Sequence, residues 1–380
     1  MGRLKLVFML CCMLVTLKSA AQTDTLTTEQ VDAQSYSLYL EQNWKVLAAY
    51  TEDVLSRNID FYYLRLRGGV AYYELEQYRR ATVHFERAQQ MNPFETTANE
   101  YLYWCYTYTG RTEEALKLSK KNNPNFKIPI IYSVTTEAGI KISSNQSLAN
   151  NMHYGFAGVN HRVKNAFTLF HGFTYLQQET HWGNYTQYQY YLKARLPVKK
   201  GWYIQPAIHL VQLYAAPYNK DFYALGNLSI EKQLSRFIFA AGYNYSDFFN
   251  RYQHQSNVSV TWFSIKKQTV WITCTPTYLN IETQSSRLFV SANMGYSFKN
   301  KSTLQVSTMN GGARNFSEAN GFLVNNSVDL IKNKYALQYN YPLTPKKEIY
   351  GIAVTEQREE FFTLQNIHYH SLIIGLRYKP

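Results

Sequence analysis

Two histidines near the carboxyl end, His368 and His370, have the spacing with which a strand could present metal ligands. Residues two apart lie on the same face of a β-strand, about 7 Å from each other, and imidazole is a common zinc ligand. A zinc site needs at least three protein ligands, and the sequence offers no third residue that can be named. A position at the rim of a sheet explains both side chains equally well. We therefore predict no metal site.

His171 is the next residue whose type suggests chemistry. Outer-membrane lipases use a histidine and a serine on the outward face of the barrel, and His171 could supply the histidine of such a pair. It has the parity of the apolar residues Phe167, Leu169 and Phe173. On the same face of the neighbouring predicted strands we expect aromatic residues and no serine: Tyr154, Phe156, Tyr188 and Tyr190. A histidine without a serine in reach has no nucleophile to activate. The sequence also lacks a phosphate loop, a CxxC pair and a nucleotide fingerprint. We predict no catalytic residue, no enzymatic activity and no cofactor.

Polar residues alternate with apolar ones along residues 187 to 196, so this segment has one polar and one apolar face. The polar positions are Gln187, Gln189, Lys193 and Arg195. The segment 202–210 repeats the pattern, with Gln205 and His209 on its polar face. We predict that these side chains face the interior of whatever structure the strands form.

The alternation continues through most of the chain after residue 130, in segments of ten to thirteen residues. At roughly 3.3 Å per residue such strands match a tilted membrane crossing. Short basic turns such as Lys199-Lys200-Gly201 recur every 32 to 35 residues, with one longer interval of about 45, and looser stretches that we expect to be longer loops lie between them. Each interval fits an up strand, a loop and a down strand. We predict about fourteen strands, with twelve or sixteen as alternatives.

An apolar face along every strand must meet either lipid or a second layer of protein. A soluble β-sandwich supplies such a layer, but its strands are usually shorter and it needs no aromatic residues beside its turns. Here aromatic residues flank the turns, as in the girdle of a membrane barrel: Trp202, Tyr203, Trp262, Phe263 and Trp271. A closed barrel also has no unpaired edge. We predict that residues 131–380 form an antiparallel transmembrane β-barrel in the outer membrane of a Gram-negative bacterium.

The residues before the barrel have a helical period and a repeat of about 34 residues, the length of a tetratricopeptide (TPR) repeat. The residue types at certain positions are those that TPR repeats favour: Gly69, Tyr72, Ala81, Phe85, Ala88 and Pro93. Small residues let the two helices of a repeat approach closely, and proline ends the second helix. We predict about three helical hairpins in residues 22–125, followed by a linker at 126–130. The predicted helices are near 29–41, 44–57, 61–76, 78–91, 95–109 and 112–122.

Such helical arrays bind extended peptides on a concave face that the first helices of the repeats build. Tyr72, Tyr103 and Tyr106 are the candidates for this face. The alternative is that these tyrosines only stack the repeats against one another. In that case they belong to the core.

Residues 1–21 have the layout of a secretory signal peptide: a basic start, a twelve-residue apolar stretch and small residues before the predicted cleavage site. We therefore expect the chain to be exported. Only Cys105 and Cys274 then remain in the mature chain. They lie in different predicted regions, so we expect two buried thiols, with a disulfide as the alternative.

A signal peptide, a short TPR-like array and a carboxyl-terminal barrel, in this order, resemble the YaiO-type outer-membrane β-barrel family. The resemblance rests on the TPR positions above and on three segments: "HRVKNAFTLFHGFTY" at 161–175, "LPVKKGWYIQPAIH" at 196–209 and the ending "SLIIGLRYKP". It covers nearly the whole chain. It implies an outer-membrane location with the helical domain in the periplasm, and it leaves the bound or transported molecule open.

The formal net charge of +13 is unevenly distributed. Residues 22–129 carry 12 basic and 14 acidic side chains, whereas residues 130–380 carry 24 and 12. The excess therefore belongs to the predicted barrel, where basic turns can meet anionic headgroups, and this location disfavours nucleic acid as a partner. Inward-facing Lys193 and Arg195 would give an open lumen a preference for anions. The alternative is a small lumen that is plugged by the chain's own side chains.

These observations favour a non-enzymatic function, either the passage of small solutes or the membrane anchoring of a periplasmic TPR interaction module. A second alternative is a TPR-based periplasmic scaffold of an envelope or secretion complex, with the barrel as its anchor. A third is an outer-membrane lipid-modifying enzyme. The expected partners are outer-membrane lipid, a periplasmic protein or peptide at the TPR-like region, and a small anionic solute in the lumen.

Overall fold

The computed structural model of the chain describes residues 26–122, 130–146, 149–163, 167–180, 183–199, 201–216, 219–248, 251–264, 269–282, 284–325, 329–361 and 363–380. The predicted signal peptide and nearly all of the predicted linker lie outside these residues. The described part begins with a helical array and continues into a closed β-barrel.

Six α-helices precede the barrel in the described residues. The first helices of the three hairpins are α1 (Thr28–Leu40), α3 (Tyr62–Glu74) and α5 (Thr96–Tyr108), and the second helices are α2 (Trp44–Ser56), α4 (Tyr78–Met91) and α6 (Thr112–Asn122). Within each series the helices begin at equal intervals along the chain, and this interval is the repeat length that the sequence predicts. The observed bounds agree with the predicted ones to within two residues.

The same period is present in the backbone between the paired helices. Gln42, Glu76 and Gly110 occupy equivalent positions of the three hairpins and have left-handed φ angles of 53°, 57° and 74°. Within the second hairpin, a Cβ atom on Gly69 would lie 2.7 Å from the ring of Phe85. Glycine at this position therefore allows α3 and α4 to pack more closely than a side chain would permit.

Fourteen antiparallel strands in the described residues close into a barrel, which confirms the predicted strand number. The strands, with a separate hairpin of β12 and β13, are β1 (Ile131–Ser143), β2 (Ala149–Val163), β3 (Phe167–Thr180), β4 (Gly183–Pro197), β5 (Trp202–Ala216), β6 (Asn219–Gln233), β7 (Phe237–Phe248), β8 (Arg251–Phe263), β9 (Val270–Ile281), β10 (Arg287–Ser297), β11 (Thr303–Ala313), β12 (Phe316–Glu318), β13 (Leu323–Asn325), β14 (Leu330–Thr344), β15 (Lys347–Glu359) and β16 (Asn366–Tyr378). Pairing of β1 with β16, from Val134 opposite Tyr378 to Ser143 opposite Tyr369, closes the sheet.

The barrel has a turn side, where the chain enters β1 and leaves β16, and an opposite loop side. Several stretches predicted to be longer loops on the loop side belong largely to strands. β3 ends at Thr180 and β4 begins at Gly183, while β5 ends at Ala216 and β6 begins at Asn219. The polar residues of these stretches continue the strand ladder instead of leaving it, because a ladder outside the bilayer tolerates polar side chains on both faces.

Alternation along the strands separates an apolar outer face from a more polar inner face. Tyr188 and Ile208 are exposed on the outside, whereas Gln189 and Gln205 are buried on the inside. The same alternation corrects the predicted aromatic girdle. Trp202 is exposed, but its neighbour Tyr203 is fully buried on the inner face. Two consecutive aromatic residues of a strand cannot both face lipid, because successive side chains point to opposite faces.

The segment between β11 and β14 folds into the barrel instead of forming an outer loop. We call its residues 316–325, which contain β12 and β13, the lumen hairpin. Phe316 of this hairpin packs against Phe289 of β10 in a buried apolar cluster. In the part of the chain that the structure describes, no helix is long and apolar enough to cross a membrane.

Candidate functional site

The residues predicted to face the lumen lie on the inner side of β4 and β5. The four uncharged ones, Gln187, Gln189, Gln205 and His209, are buried. The two cationic ones, Lys193 and Arg195, are partly exposed and lie toward the turn side of β4. The structure brings these residues into two contacts. His209 contacts the lumen hairpin and lies beside Gln189, and Arg195 contacts helix α6.

Arg195 is the barrel residue at the centre of the contact with the helical array. Its Nη1 donates a 2.6 Å hydrogen bond to Oε2 of Glu113, in the first turn of α6, and its Nη2 lies 3.3 Å from Oε1 of Glu231 on β6. The hydroxyl of Thr168 on β3 donates to Oε1 of Glu113 at 3.0 Å. The Glu113 side chain is 4% exposed and the Arg195 side chain 18%. The carboxylate of Glu113 therefore enters the rim of the barrel.

Glu114 extends this contact from the next position of α6. It accepts a hydrogen bond from the hydroxyl of Tyr203 and an ion pair from Nη2 of Arg111 at 3.0 Å. The guanidinium of Arg195 lies over the Tyr203 ring, 3.5 Å from its centroid. The amino-terminal turn of a helix favours both carboxylates electrostatically. We call Thr168, Arg195, Tyr203 and Glu231 of the barrel, with Glu113 and Glu114 of α6, the docking cluster.

Arg111, just before α6, supports the docking cluster from the array. It also pairs with Oε1 of Glu86 at 2.8 Å. Burial alone lowers the pKa of Arg111, but the carboxylates of Glu114 and Glu86 outweigh burial and raise the pKa above its ordinary value. Gly201 has a φ of 75°, and a Cβ atom on it would lie 2.9 Å from the carbonyl oxygen of Gln233. This rim turn therefore requires glycine where it approaches Arg111.

Arg79 of α4 makes a second contact between the array and the turn side. Its guanidinium lies 4.1 Å from the centroid of Phe263, the last residue of β8, and 3.4 Å from Oε1 of Gln233. It also donates to the carbonyl oxygen of Thr109. Burial lowers the pKa of Arg79 to about 10, so the group stays charged at neutral pH. Phe263, predicted to belong to the lipid girdle, instead supports an arginine of the array.

The lumen hairpin is held by the inner face of β4 and β5. Nδ1 of His209 donates to the carbonyl oxygen of Gly321 at 2.7 Å, and Nε2 of His209 lies 2.9 Å from the amide oxygen of Gln189. The hydroxyl of Tyr191 donates to the carbonyl oxygen of Asn320 at 2.9 Å. The tip of the hairpin has left-handed backbone at three consecutive residues, with φ of 51° at Ala319, 59° at Asn320 and 80° at Gly321.

Two further contacts fix the hairpin across the barrel. The side-chain amide of Gln255 on β8 donates to the carbonyl oxygen of Ser317 at 2.8 Å and accepts from its backbone N–H at 3.0 Å. The ring of Phe322 packs edge-on against Phe156 and Phe170, with centroid distances of 5.4 and 5.6 Å. The hairpin thus spans the interior from its own attachment at β11 and β14 to the wall of β2 to β8.

Ion pairs join several of the described charges inside the barrel. Glu356 pairs with Lys141 at 3.0 Å and with Arg358 at 2.6 Å, and Glu318 of the lumen hairpin pairs with Lys334 at 2.9 Å. Arg195, predicted to favour anions in an open lumen, is likewise paired with two carboxylates. The sequence-based expectation counted the inward cations without the acidic residues that the fold brings to them. These pairs reduce the positive charge that is free to attract an anion.

One cavity lies between the lumen hairpin and the part of the barrel wall that β9, β10 and β11 form. Its volume is about 260 Å³. The barrel wall contributes the side chains of Thr273, Thr275, Ser291, Asn293, Ser307 and Met309, and the other side is formed by Glu318, Ala319 and Leu323 of the hairpin together with Lys334. The residue types at this wall are mostly small and polar, in contrast to the aromatic wall against which the hairpin packs.

Tyr72 and Tyr106, two of the three residues proposed for a partner face, lie inside the helical array. Tyr72 is 2% exposed and donates to Oε1 of Glu52 at 2.7 Å. Tyr106, at the equivalent position of the next repeat, donates at 3.0 Å to Oε1 of Glu86, which is the equivalent of Glu52. These repeated hydrogen bonds stack the repeats, which is the alternative that the sequence left open. Tyr103 is half-buried and packs against the core of the array.

Other aromatic residues of α5 are on the open surface of the array. Trp104 is 47% exposed and Tyr108 is 53% exposed, and their rings stack at a centroid distance of 6.0 Å. The Tyr78 ring lies 4.4 Å from that of Tyr108 and extends the aromatic surface onto α4. The helical period could have identified Trp104, because it lies two positions from the buried Leu102 and Tyr106 and thus on the other side of the helix.

His171 is on the outer face of β3, as its parity predicts, and the aromatic residues expected on β4 share that face, but those expected on β2 do not. Its Nδ1 lies 2.6 Å from the hydroxyl of Tyr190, and its ring stacks on that of His161 at 4.8 Å. Phe156 instead turns inward, and the hydroxyl of Tyr154 donates to the inner residue Glu137. The register of β2 against β3 is the reason, since it places odd-numbered residues of β2 beside His171.

His368 and His370 lie on the exposed face of β16, near the loop side. Among the described residues, no three His, Cys, Asp or Glu side chains are grouped so that they could hold a metal ion.

Cys105 and Cys274 are both free thiols. Cys105 is buried, and burial raises its pKa to about 12. Cys274 is exposed on the outer face of β9, so the expectation of two buried thiols was wrong for this residue.

No protein-family model and no curated protein matches the chain. It is similar in chain path to the Acinetobacter baumannii outer membrane protein Omp33, with 8% sequence identity and a TM-score of 0.39 over 66% of this chain and 99% of that chain. The CymD monoaromatic hydrocarbon channel has 7% sequence identity and a TM-score of 0.46, over 67% of this chain and 89% of that chain. The KdgM porin in complex with disordered oligogalacturonate has 9% sequence identity and a TM-score of 0.34, over 65% of this chain and 99% of that chain. Likenesses this distant carry no argument about function. The closed strand order of the chain itself is that of an outer-membrane-type β-barrel protein.

Proposed function

We propose that the barrel anchors the helical array at the periplasmic face of the outer membrane, and that the array binds a protein or peptide partner. The observation that carries this proposal is the pairing of Glu113 with Arg195 in the docking cluster. An ion pair whose side chains have so little exposure to solvent is costly to form, because both charges lose their water. Such a pair is stable only if both groups are held in place and hydrogen-bonded. The lumen hairpin supports the proposal too, because the chain's own residues occupy much of the interior. The proposal includes no enzymatic step.

The proposed orientation follows from the side on which the array docks. In outer-membrane barrels, the ends of the sheet and the short turns lie at the periplasmic face. Here β1 begins and β16 ends on the turn side, and Glu113 meets the turn-side residue Arg195. The apolar outer surface, with residues such as Ile208 and Leu228, is the part that lipid would cover.

Thiol labelling in cells tests this orientation. In a Cys274→Ser background, Trp104→Cys places a thiol on the exposed surface of α5, and Ser285→Cys places one on the loop side. A membrane-impermeant maleimide is expected to label Ser285→Cys in intact cells. It should label Trp104→Cys only after the outer membrane has been permeabilised. Labelling of Trp104→Cys in intact cells would place the array outside the cell and overturn the proposal.

The surface of Trp104 and Tyr108 is our candidate for the partner face, in place of the buried Tyr72 and Tyr106. Stacked, exposed aromatic rings offer a large apolar area at a low cost in side-chain entropy. The double variant Trp104→Ala/Tyr108→Ala should abolish co-purification of a periplasmic partner with the intact barrel. Tyr36→Ala, an exposed tyrosine on α1, is the matched control. Equal recovery of the partner with both variants would exclude this surface.

A second candidate function is the passage of small solutes, and the cavity beside the lumen hairpin favours it. A path through the barrel would follow the small polar side chains that line the cavity on β9, β10 and β11, beside the contact of Phe316 with Phe289. Planar bilayers test this function. Replacing residues 316–325 by a Gly/Ser segment of equal length should raise conductance strongly if the hairpin is the obstruction. Steady conductance of the unaltered chain would favour passage over anchoring.

A further inference from the structure

The cavity beside the lumen hairpin has a wall of hydrogen-bonding groups from three adjacent strands. Ser291 of β10 lies opposite Thr275 of β9, and Asn293 of β10 lies opposite Ser307 of β11. Directly opposite residues have their Cβ atoms about 5 Å apart, so these side chains form a continuous polar surface. Within the described residues, no side-chain hydrogen bond engages any of these four. Their donors and acceptors are therefore available to a molecule in the cavity.

The charges of the cavity cancel each other. The carboxylate of Glu318 accepts from Nζ of Lys334 at 2.9 Å and from the side-chain amide of Asn325 at 3.0 Å. A charged ligand would have to break this pair to obtain a partner, and an unpaired charge in such a site is strongly disfavoured. A neutral ligand can instead hydrogen-bond to the outer atoms of the pair. The cavity thus selects against ionic solutes.

The size and the apolar part of the cavity narrow the class of ligand further. A volume of about 260 Å³ equals the share of roughly nine water molecules in the liquid. Met309 and Leu323 supply apolar contact beside the hydroxyl groups. A molecule with many hydroxyl groups around a ring of C–H groups matches both kinds of surface. We propose that this cavity binds a neutral polyhydroxylated solute of monosaccharide size.

This inference does not rest on the anchoring proposal, because it concerns the opposite wall of the barrel and holds whether or not the solute crosses the membrane. The test uses the purified full chain in a detergent without a sugar headgroup. Saturation-transfer NMR is recorded with D-glucose, D-glucuronate and D-glucosamine as probes. We expect binding of glucose in roughly the millimolar range, since only a few neutral hydrogen bonds hold it. Glucuronate and glucosamine should bind at least tenfold more weakly.

Three variants separate the cavity from other surfaces. Ser291→Leu fills the cavity and should weaken glucose binding at least tenfold. Thr275→Val keeps the volume but removes one hydroxyl, and should weaken binding about fivefold. Ser256→Leu makes the same change as the first variant on the outer face of β8 and should leave binding unchanged. Heat-modifiable migration on gels shows that each variant retains its barrel.

The outcomes that contradict the proposal are equally definite. Absence of saturation transfer to glucose from the unaltered chain overturns it, as does equal binding of glucuronate. A loss of binding in Ser256→Leu as large as in Ser291→Leu shows that glucose contacts the outer surface. Unchanged glucose binding in both Ser291→Leu and Thr275→Val excludes the cavity as the site. If Ser291→Leu fails to fold, unchanged glucose binding in Thr275→Val is enough to exclude it.

Discussion

The pairing of Arg195 with Glu113 predicts how firmly the array is held. Arg195→Ala removes the 2.6 Å hydrogen bond to Glu113 and the 3.3 Å contact with Glu231. Of its side-chain hydrogen bonds within the described residues, Glu113, with a side chain that is 4% exposed, then keeps the one from the hydroxyl of Thr168 at 3.0 Å. The variant therefore leaves a nearly buried carboxylate without its hydrogen-bonded guanidinium while α6 stays docked.

The expected effect follows from the burial of the pair. Removing one partner of a buried ion pair costs about 3–5 kcal/mol. Arg195 retains some exposure to water, so the lower end, about 3 kcal/mol, is the appropriate value for the free energy of docking. Each 1.4 kcal/mol corresponds to about a tenfold change in an equilibrium constant. The undocked population of α6 should therefore rise by about 100-fold.

Hydrogen exchange measured by mass spectrometry, on the full chain in lipid nanodiscs, reports this population. Protection of the backbone amides of α6 should fall by about 100-fold in Arg195→Ala. The control is Arg57→Ala, which breaks a 2.9 Å pair with Asp53 on the open surface of α2, where both side chains are about half exposed. An exposed pair contributes less than about 1 kcal/mol, so α6 should be unaffected.

A double variant separates loss of the pair from loss of contact in general. Glu113→Gln together with Arg195→Ala removes both charges of the pair, and protection of α6 should recover in part because the nearly buried carboxylate of Glu113 is gone. If Arg195→Ala exchanges no faster in α6 than Arg57→Ala does, the docking cluster does not hold the array and the reasoning fails.

Three further predictions concern the array and the lumen hairpin. Gly69→Val should destabilise the array by about 1–3 kcal/mol, since its side chain collides with the Phe85 ring, and thermal melting followed by circular dichroism measures this loss. Glu52 has a pKa lowered to about 2, chiefly by the hydrogen bond from His84, so its stabilisation is complete above the unfolded value near 4.5 and is lost as the pH falls toward 2. Acid unfolding should accordingly be less steep in Glu52→Gln. Phe322→Ala should loosen the lumen hairpin by about 3 kcal/mol and speed its hydrogen exchange.

Controls and contrary results for these three are available in the same chain. A Cβ atom on Gly155 would meet no atom within 4 Å, so Gly155→Val should leave the melt unchanged. Superimposable acid unfolding of Glu52→Gln and the unaltered chain would show that the carboxylate does not couple to folding. Phe222→Ala removes an exposed ring of the outer face, and equal exchange of the hairpin in this variant and in Phe322→Ala would exclude the packing role of Phe322.

The helices and strands were predictable because each depends on a local period. Small residues such as Gly69 mark where two helices touch, and strand alternation needs only neighbouring residues. The docking cluster was not predictable in this way. Glu113 has the features of an ordinary acidic residue in the first turn of a helix, and nothing in its sequence neighbourhood indicates a partner 82 residues away. Tyr203 is predicted to belong to the lipid girdle because it is an aromatic residue beside a turn.

The lumen hairpin escaped prediction for a related reason. Its strands, Phe316–Glu318 and Leu323–Asn325, are too short to show a period of two. Its position depends on single contacts such as Gln255 with the backbone of Ser317, which join residues distant in sequence. Polar residues of this kind were assigned to an inner face, but whether they face water or another segment depends on tertiary structure.

The uneven charge of the chain has a physical explanation in these contacts. Residues 22–129 have a net charge of −2 and residues 130–380 a net charge of +12, and the docking cluster is where acidic side chains of the first region meet a cation of the second. Since Glu113 is shielded from solvent, salt should weaken this pair less than it weakens the attraction between the exposed charges of the two regions. Salt therefore should slow the approach of the array to the barrel more than it promotes release of a docked array. If hydrogen exchange of α6 in the unaltered chain rises steeply with salt, then salt promotes release of the docked array, and this expectation is wrong.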